Sequence, residues 1–360
     1  MFVKASSSKH WALACLIVSA LICFFVLLIH EQIFRHGSGD FSTHAKIQDM
    51  HYTYFYVMRD TVVDLARHTP LQSLATILYV TVALNICVVF YFFYKESTAP
   101  LIAALATGVM FFFVPVFNLV DGDIYLGQLS PNIWHNSTFL LAATPNLLLF
   151  LYGMSVMQQP LSVGRVLLLT LFAILSIGAK PSLFVVIVPA VTLYTLIFRR
   201  DLILRVGVLW ALPVMCFVIY YFFILPKDVE TIIAPGLVWA IHSNNIPYSI
   251  LTSSIFFLVL AASYKKSFLT APEIMVAALA VGVGMVQFYL LAEPGVRQQD
   301  ANFSWGMHQA MTLLLFSSLV FLMRQRWDGK LKIALLACVP HLVTGLYYNL
   351  YILRTGGYWI

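Results

Sequence analysis

The segment GRVLLLTLFAILSIGAKPSLFVVIVPAVTLYTLIFRR, residues 164–200, determines how many times this chain can cross a membrane. It contains two apolar runs, 164–179 and 182–198, which are separated by Lys180 and Pro181. A bilayer span needs about 20 apolar residues, so each run is short for a span. The stretch therefore forms either two spans joined by a tight turn or one long interrupted helix. The direction of every later span depends on which of these forms.

The rest of the chain has the same apolar character: 61% of its 360 residues are hydrophobic and only 10% are charged. In soluble domains roughly a quarter of all residues are charged. No soluble core could therefore bury the apolar side chains of this sequence behind a polar surface. We predict an all-α polytopic membrane protein with one transmembrane domain over residues 1–360 and no separate soluble domain. The predicted spans number eleven: 11–31, 72–94, 99–119, 139–157, 164–179, 182–198, 206–226, 249–264, 272–292, 307–323 and 333–353.

Basic residues predict the orientation of these spans, because cytoplasmic loops are enriched in lysine and arginine. With the N-terminus in the cytoplasm, thirteen of the 21 basic residues fall in short inside loops. The basic clusters at 199–205, 265–266 and 324–332 all lie on the inside only if the chain crosses the membrane twice between residues 164 and 198. This favours eleven spans and places the C-terminus outside. The net charge is +6, but the basic residues are scattered, which excludes a nucleic-acid-binding stripe.

The first outside loop, about 32–71, is predicted to contain an amphipathic helix that lies in the membrane interface. Its apolar residues recur at helical spacing and are Ile47, Met50, Tyr54, Val57, Met58, Val62 and Leu65. The opposite face carries Asp49, Arg59, Asp60, Asp64 and Arg67. Long loops on a rigid scaffold are where function concentrates, so we expect the chemistry of this protein at the outside ends of its helices.

The segment just after the first span, GSGDFSTHAK at 37–46, presents Asp40 and His44 as candidate catalytic residues. A carboxylate in this position could take a proton from an incoming hydroxyl group. Together with His44 it could instead hold a divalent metal such as Mg²⁺ or Mn²⁺. The alternative interpretation is structural: Asp40 or Ser42 caps the helix that follows.

A second outside segment, DGDIYLGQLSPNIWHNST at 121–138, combines carboxylates, amides and aromatic rings. Such a mixture suits a sugar, because aromatic faces stack on its C–H surfaces while carboxylates and amides bind its hydroxyl groups. The predicted sugar- or acceptor-binding residues are Asp121, Asp123, Gln128, Asn132, Trp134 and His135. A structured loop at the aromatic belt of the membrane is the alternative.

Two further outside segments carry basic residues that suit a phosphate. Lys180 stands alone in a short outside turn, against the charge rule, and could bind a lipid phosphate near the interface. Arg297 lies within EPGVRQQDANFSWGMH, 293–308, and its guanidinium suits bidentate phosphate binding. The other candidates in that segment are Glu293, Asp300, Asn302, Trp305 and His308. Snorkelling of Lys180 and ion pairing of Arg297 are the structural alternatives.

Taken together, many spans, an inside N-terminus and a long first outer loop make the chain resemble the GT-C superfamily of integral-membrane glycosyltransferases. The segments YLGQLSPNIWHNST and EPGVRQQDANFSWG are also similar to runs in bacterial membrane proteins of surface-polysaccharide synthesis. The resemblance implies a polyprenyl-phosphate-linked sugar as donor and a glycan or glycolipid as acceptor. It also implies a bacterial inner (plasma) membrane location, with the active site facing the periplasm or outside.

On this resemblance Asp40 is the catalytic base or a metal-site residue, and Lys180 and Arg297 hold the carrier phosphate. The chain departs from the superfamily in two respects. The common acidic pair of the first loop is absent, because Gly39 and Phe41 flank Asp40. The chain is also short and shows no soluble tail domain, which implies a small or lipid-linked acceptor.

Two other functional classes fit the sequence. A polysaccharide polymerase or ligase also uses arginines and histidines of outside loops, but it joins whole lipid-linked oligosaccharides. A flippase or transporter would move lipid-linked sugars without forming a glycosidic bond. The middles of the spans contain almost no ionisable residues, which argues against proton-coupled transport.

Overall fold

The structure is a computed structural model that describes residues 8–37, 41, 44–45, 53–117, 128–134, 136–225, 230–295, 298 and 301–356. Six of the predicted site residues therefore lie outside the described residues: Asp40, Asp121, Asp123, His135, Arg297 and Asp300. The other predicted site residues are all described.

The described chain is helical almost throughout, as its apolar composition predicts. The helices are α1 (Ser8–His30, continued by a π-helical turn Glu31–Arg35), α2 (Tyr54–Ala66), α3 (Pro70–Ser97), α4 (Pro100–Phe112), α5 (Ser137–Met157), α6 (Val163–Ala179), α7 (Ser182–Phe198), α8 (Ile203–Phe223), α9 (Leu237–His242), α10 (Ile246–Tyr264), α11 (Lys266–Leu269), α12 (Pro272–Leu290), α13 (Trp305–Met323) and α14 (Gly329–Thr355). Short 3₁₀ turns cover Arg200–Leu202 and Asn302–Ser304. Two-residue strands, β1 (Ile232–Ile233) and β2 (Leu291–Ala292), pair antiparallel.

Each predicted span coincides with one of these helices. Among the described residues, eight helices are long and apolar enough to cross a membrane by length and composition. The shorter apolar helices are α4, α6 and α7. The protein is thus an all-α polytopic membrane protein, whereas its orientation in the bilayer remains a prediction of the charge pattern.

Local sequence signals set the helix boundaries. Asn136, Ser162 and Asp328 are N-caps whose side chains accept a backbone N–H of the first turn. The third predicted span was wrong at its end, because α4 stops at Phe112 rather than near residue 119. Pro115 explains the early stop, since it removes a backbone donor and disfavours helical backbone at the residue before it.

Side-chain contacts show that α6 and α7 run in opposite directions. Leu169 of α6 lies beside Gly153 near the end of α5, whereas Ser176 near the end of α6 donates to Asn146 in the first half of α5. Lys180, between α6 and α7, reaches Asn136 at the start of α5 and Trp305 at the start of α13. The turn at Lys180 therefore lies at the opposite end of the bundle from the α5–α6 connection. This is the arrangement that two crossings of residues 164–198 require.

Helix α13 is the central helix of the bundle, since sixteen of its residues are buried. Its start allows two very close backbone approaches. A Cβ atom added to Gly284 of α12 would lie 2.7 Å from the backbone of Met307, and one added to Gly306 would lie 2.7 Å from the carbonyl oxygen of Ser182. Small residues at such crossings are what lets membrane helices pack backbone to backbone.

The interfacial helix predicted in the first outer loop begins, within the described residues, at Tyr54 and ends at Ala66. The predictions for Ile47, Asp49 and Met50 fall on residues 46–52, which lie outside the described residues. The predicted polar face was wrong at Arg59, whose side chain is 3% exposed. Leu65, on the predicted apolar face, is 82% exposed, as a side chain that faces lipid in the interface is. The helix packs on α3 and α6 through the face that carries Arg59.

The close approach at Gly284 gives a matched test on one helix. We expect Gly284→Ala to lower the free energy of unfolding by about 1–3 kcal/mol, because the added methyl group overpacks the α12–α13 contact. Gly282→Ala meets no atom within 4 Å and should be neutral or stabilising by up to about 1 kcal/mol. The fraction of monodisperse protein that survives heating in detergent measures both. Equal survival of the two variants would refute the backbone contact.

Candidate functional site

Members of all four singled-out outside segments meet at one end of the bundle. The ammonium group of Lys180 donates to Asn136 Oδ1 at 3.2 Å and to Thr138 Oγ1 at 3.1 Å. It also lies over the ring of Trp305, 4.2 Å from the ring centroid. His44, from the first outer loop, faces the next residue of the same turn, Ser137, with its Nδ1 3.1 Å from that hydroxyl oxygen. We call this group of residues the Lys180 cluster: Lys180, Asn136, Ser137, Thr138, Trp305 and His44.

The local sequence explains why a lysine is held here. Helix α6 ends at Ala179, and Lys180 adopts extended backbone while its N–H still bonds to the carbonyl of Ser176 at 2.9 Å. Pro181 stops the helix and restarts the chain as α7. The half-buried Lys180 side chain is thereby directed toward the start of α5 rather than into water.

His44 is held neutral by its surroundings. Its Nδ1 lies 3.1 Å from both Tyr56 Oη and Ser137 Oγ, and its ring stacks on that of Tyr56 at 5.9 Å. Burial, together with the positive charges of Lys180 and Arg59, lowers the pKa of His44 from 6.5 to about 4. At neutral pH His44 is therefore an uncharged donor or acceptor.

Arg59 is the functional-site residue that the sequence interpretation placed wrongly. It donates through Nη1 to the backbone carbonyl of His44 at 2.7 Å and pairs with Asp60 at 2.6 Å. Its guanidinium also lies 5.2 Å from the ring centroid of Tyr56. Arg59 thus fixes the backbone of the first outer loop at His44. The only sequence signal was a basic residue on a face otherwise expected to be solvated.

Asn136 and Thr138 end the second outside segment, within an Asn-Ser-Thr sequence that also matches a weak glycosylation motif. Asn136 is buried, caps α5 by accepting the N–H of Phe139 at 2.8 Å, and orients Lys180. Thr138 donates to the same amide oxygen at 2.9 Å. A buried cap is a poor substrate for modification, so the structure favours the role in the Lys180 cluster.

Trp134 does not have the exposed face that its predicted sugar-stacking role needs. It is 1% exposed, and its ring stacks on Phe25 at 4.1 Å and on Phe111 at 6.0 Å. The segment 128–134 folds into the bundle instead of crossing its surface, so Trp134 packs the end of the bundle. Its contact with a sugar stays a prediction.

Asn132 and Gln128 are also buried, at 7% and 1% exposure, and their contact with a sugar stays a prediction. Asn132 Nδ2 donates to the carbonyls of Met110 and Phe113 at 2.7 and 2.8 Å. These carbonyls belong to the C-terminal end of α4, where helical partners run out. Asn132 thus satisfies backbone groups that water cannot reach.

The last segment divides into a surface part and a buried part. Glu293 and Asn302 are partly exposed, and Asn302 Nδ2 donates a hydrogen bond to Glu293 Oε2 at 2.7 Å. His308 is 0% exposed, and its Nδ1 lies 2.9 Å from the carbonyl oxygen of Ser130. The first turn of α13 is already inside the bundle, so His308 is enclosed there, and its contact with a sugar stays a prediction. Trp305 remains at the site through its contact with Lys180.

A metal site was one of the alternatives for Asp40 and His44. Within the residues that the structure describes, no group of three or more His, Cys, Asp or Glu side chains is arranged to hold a metal ion. Asp40 lies outside these residues, and Nδ1 of His44 already faces Tyr56 and Ser137. Both interpretations of Asp40 therefore remain predictions.

The fold and composition define the class of this protein as an integral membrane protein built from α-helices. No protein-family model matches the chain, and no curated protein is significantly similar to it. The contacts of Lys180 in the Lys180 cluster are therefore the basis of the proposed function.

The lowered pKa of His44 predicts a pH-dependent stability. Between pH 4 and its ordinary value of 6.5, the unfolded chain binds a proton at this position that the folded protein does not. The stability contributed by neutral His44 is thus present above pH 6.5 and is lost as the pH falls toward 4. We expect His44→Gln to lose less stability than the wild type between pH 7 and pH 5.

Thermal unfolding in detergent across this pH range measures the difference. His10→Gln, at an exposed histidine near the start of α1, is the matched control and should keep the wild-type pH profile. Parallel profiles for the wild type and His44→Gln would show that His44 is not held neutral.

Proposed function

We propose that this protein is a membrane glycosyltransferase of GT-C type that works at the predicted outside end of the bundle. It moves a sugar from a polyprenyl-phosphate carrier to a lipid-linked or surface-glycan acceptor. The observation that carries the proposal is the Lys180 cluster, in which a half-buried ammonium group is fixed by residues from separate outer segments.

The cluster suits the phosphate of a lipid carrier. Asn136 and Thr138 accept hydrogen bonds from Lys180 with neutral oxygens, and these contacts orient the ammonium group. Trp305 adds a cation–π contact on another side. A fixed positive charge in a region of low dielectric stabilises charge that develops on a leaving phosphate. Arg297, from the segment before Trp305, is proposed as the second phosphate ligand.

The first outer loop is proposed to supply the base. The backbone at His44 is held by Arg59, and Phe41, next to Asp40, is buried. Asp40 accepts the proton of the acceptor hydroxyl while that oxygen attacks the anomeric carbon. The bond between the anomeric carbon and the phosphate oxygen breaks, and the polyprenyl phosphate leaves with the electron pair. Attack opposite the leaving group inverts the anomeric configuration.

The proposed sugar site is smaller than the sequence indicated. Trp134, Asn132, Gln128 and His308 are enclosed in the bundle, which leaves the partly exposed pair of Glu293 and Asn302 as described candidates. Trp305 is 5% exposed and covered by Lys180. We therefore assign it to holding the lysine rather than to stacking on the sugar.

Transfer from a polyprenyl-linked sugar, measured in proteoliposomes, tests the proposal. We expect Asp40→Ala to slow transfer by about 10²–10⁴-fold as for loss of a general base. Lys180→Gln and Arg297→Ala should each cost about 10²–10³-fold, as for loss of one electrostatic donor. Lys330→Gln, at an exposed lysine at the opposite end of the bundle, is the control and should transfer at the wild-type rate.

The products distinguish the competing classes. A single added sugar supports the proposal, whereas a ladder of oligosaccharides would indicate a polymerase or ligase. Movement of the lipid-linked sugar across the bilayer without a new glycosidic bond would indicate a flippase. Unchanged transfer by both Asp40→Ala and Arg297→Ala would refute the assigned site.

A further inference from the structure

A large cavity lies at the other end of the bundle from the Lys180 cluster, and the proposed function does not use it. Its volume is about 660 Å³, and its walls come from α3, α5, α6, α12 and α13. Binding pockets for drug-sized molecules have volumes of about 300–1,000 Å³, so the cavity is large enough for part of a lipid. The charge pattern predicts that this end faces the cytoplasm.

The polarity of the cavity changes with depth. Its rim carries Lys95, Glu96, Glu273 and Arg324, which lie at helix ends. Its deeper wall is apolar and includes Leu148, Phe172 and Phe316. At a helical rise of about 1.5 Å per residue, Leu148 lies about 13 Å below the end of α5. This gradient from charged to apolar matches a molecule that has a polar head and a hydrocarbon chain.

The charges of the rim predict the type of head. Two basic residues, Lys95 and Arg324, stand against two acidic residues, Glu96 and Glu273. Arg324 already pairs with Glu96 at 2.6 Å. Since the rim is neutral in sum, it suits a headgroup that carries both charges better than one with a net negative charge. In such a headgroup a phosphate faces the basic side chains and an ammonium faces the carboxylates.

A buried hydroxyl gives a second, independent indication of a ligand. Ser317 lines the cavity and is 5% exposed, and its Oγ has no hydrogen-bond partner among the described residues. An unsatisfied hydroxyl away from water costs free energy. The ester carbonyls of a phospholipid lie between its headgroup and its chains, and they are acceptors that this hydroxyl needs.

We propose that the cavity binds one phospholipid with a zwitterionic headgroup, drawn from the leaflet at this end of the bundle. One acyl chain occupies the apolar depth, the headgroup lies among the four rim charges, and Ser317 donates to an ester carbonyl. The proposal is independent of the reaction at the Lys180 cluster.

Native mass spectrometry tests the proposal on the full-length protein. The protein is reconstituted in vesicles of equal parts phosphatidylethanolamine and phosphatidylglycerol and then extracted in mild detergent. We expect the wild type to retain one phosphatidylethanolamine in preference to phosphatidylglycerol. Equal retention of both lipids, or displacement of the retained lipid by added polyprenyl phosphate, would overturn the assigned ligand.

Two variants connect the retained lipid to the cavity. Ser317→Ala should lower retention at least threefold. Ser318→Ala should not lower it, since Ser318 is also a buried serine without a partner among the described residues but does not line the cavity. Equal effects of the two substitutions would overturn the role of Ser317.

Glu273→Gln leaves the rim with one excess positive charge. It should shift retention toward phosphatidylglycerol at least threefold, a change of preference that misfolding would not produce. An unchanged preference in this variant would overturn the charge argument. Because none of these measurements involves sugar transfer, their failure is distinct from failure of the proposed function.

Discussion

The absence of hydrogen-bond partners in hydrocarbon constrains every part of this protein. Each backbone N–H and C=O at membrane depth needs a partner within the protein, and the helices supply nearly all of them. One exception within the described residues is the extended chain after α4. There, Asn132 donates to the carbonyl of Phe113, His341 Nδ1 lies 2.7 Å from that of Val114, and Thr344 accepts the N–H of Phe117. Buried polar side chains in this region therefore serve the backbone.

Because of the same constraint, the charged groups discussed above lie at the two ends of the bundle and not in its middle. At the predicted outside end, a proline-stopped helix directs Lys180 onto neutral acceptors and an aromatic ring. At the other end, helix termini surround a cavity with paired charges at its rim. The outside end suits an anionic group that gains charge during a reaction. The other end suits a lipid that stays bound.

Sequence reasoning located the apolar helices, because apolar runs of near-bilayer length have no other stable environment. It singled out Lys180 from a charge that breaks the topological rule. It did not foresee the burial of Trp134 and Arg59, for one physical reason. The aromatic or charged character of a residue indicates what it can contact, but not whether its segment crosses the surface or enters the bundle. Trp134 enters and stacks on Phe25, and Arg59 turns inward to hold His44.

By itself the sequence determined the class of this protein, an all-α membrane protein, because its hydropathy excludes a soluble fold. It also placed every predicted apolar run on a helix, although it ran past the stop that Pro115 sets at the end of α4. Only the tertiary structure decided which distant residues meet. The contact of Lys180 with Asn136 joins positions 44 residues apart, and that of Arg324 with Glu96 joins positions 228 apart. Such contacts depend on how helices pack, and packing is set by the shapes of many side chains together rather than by any local pattern.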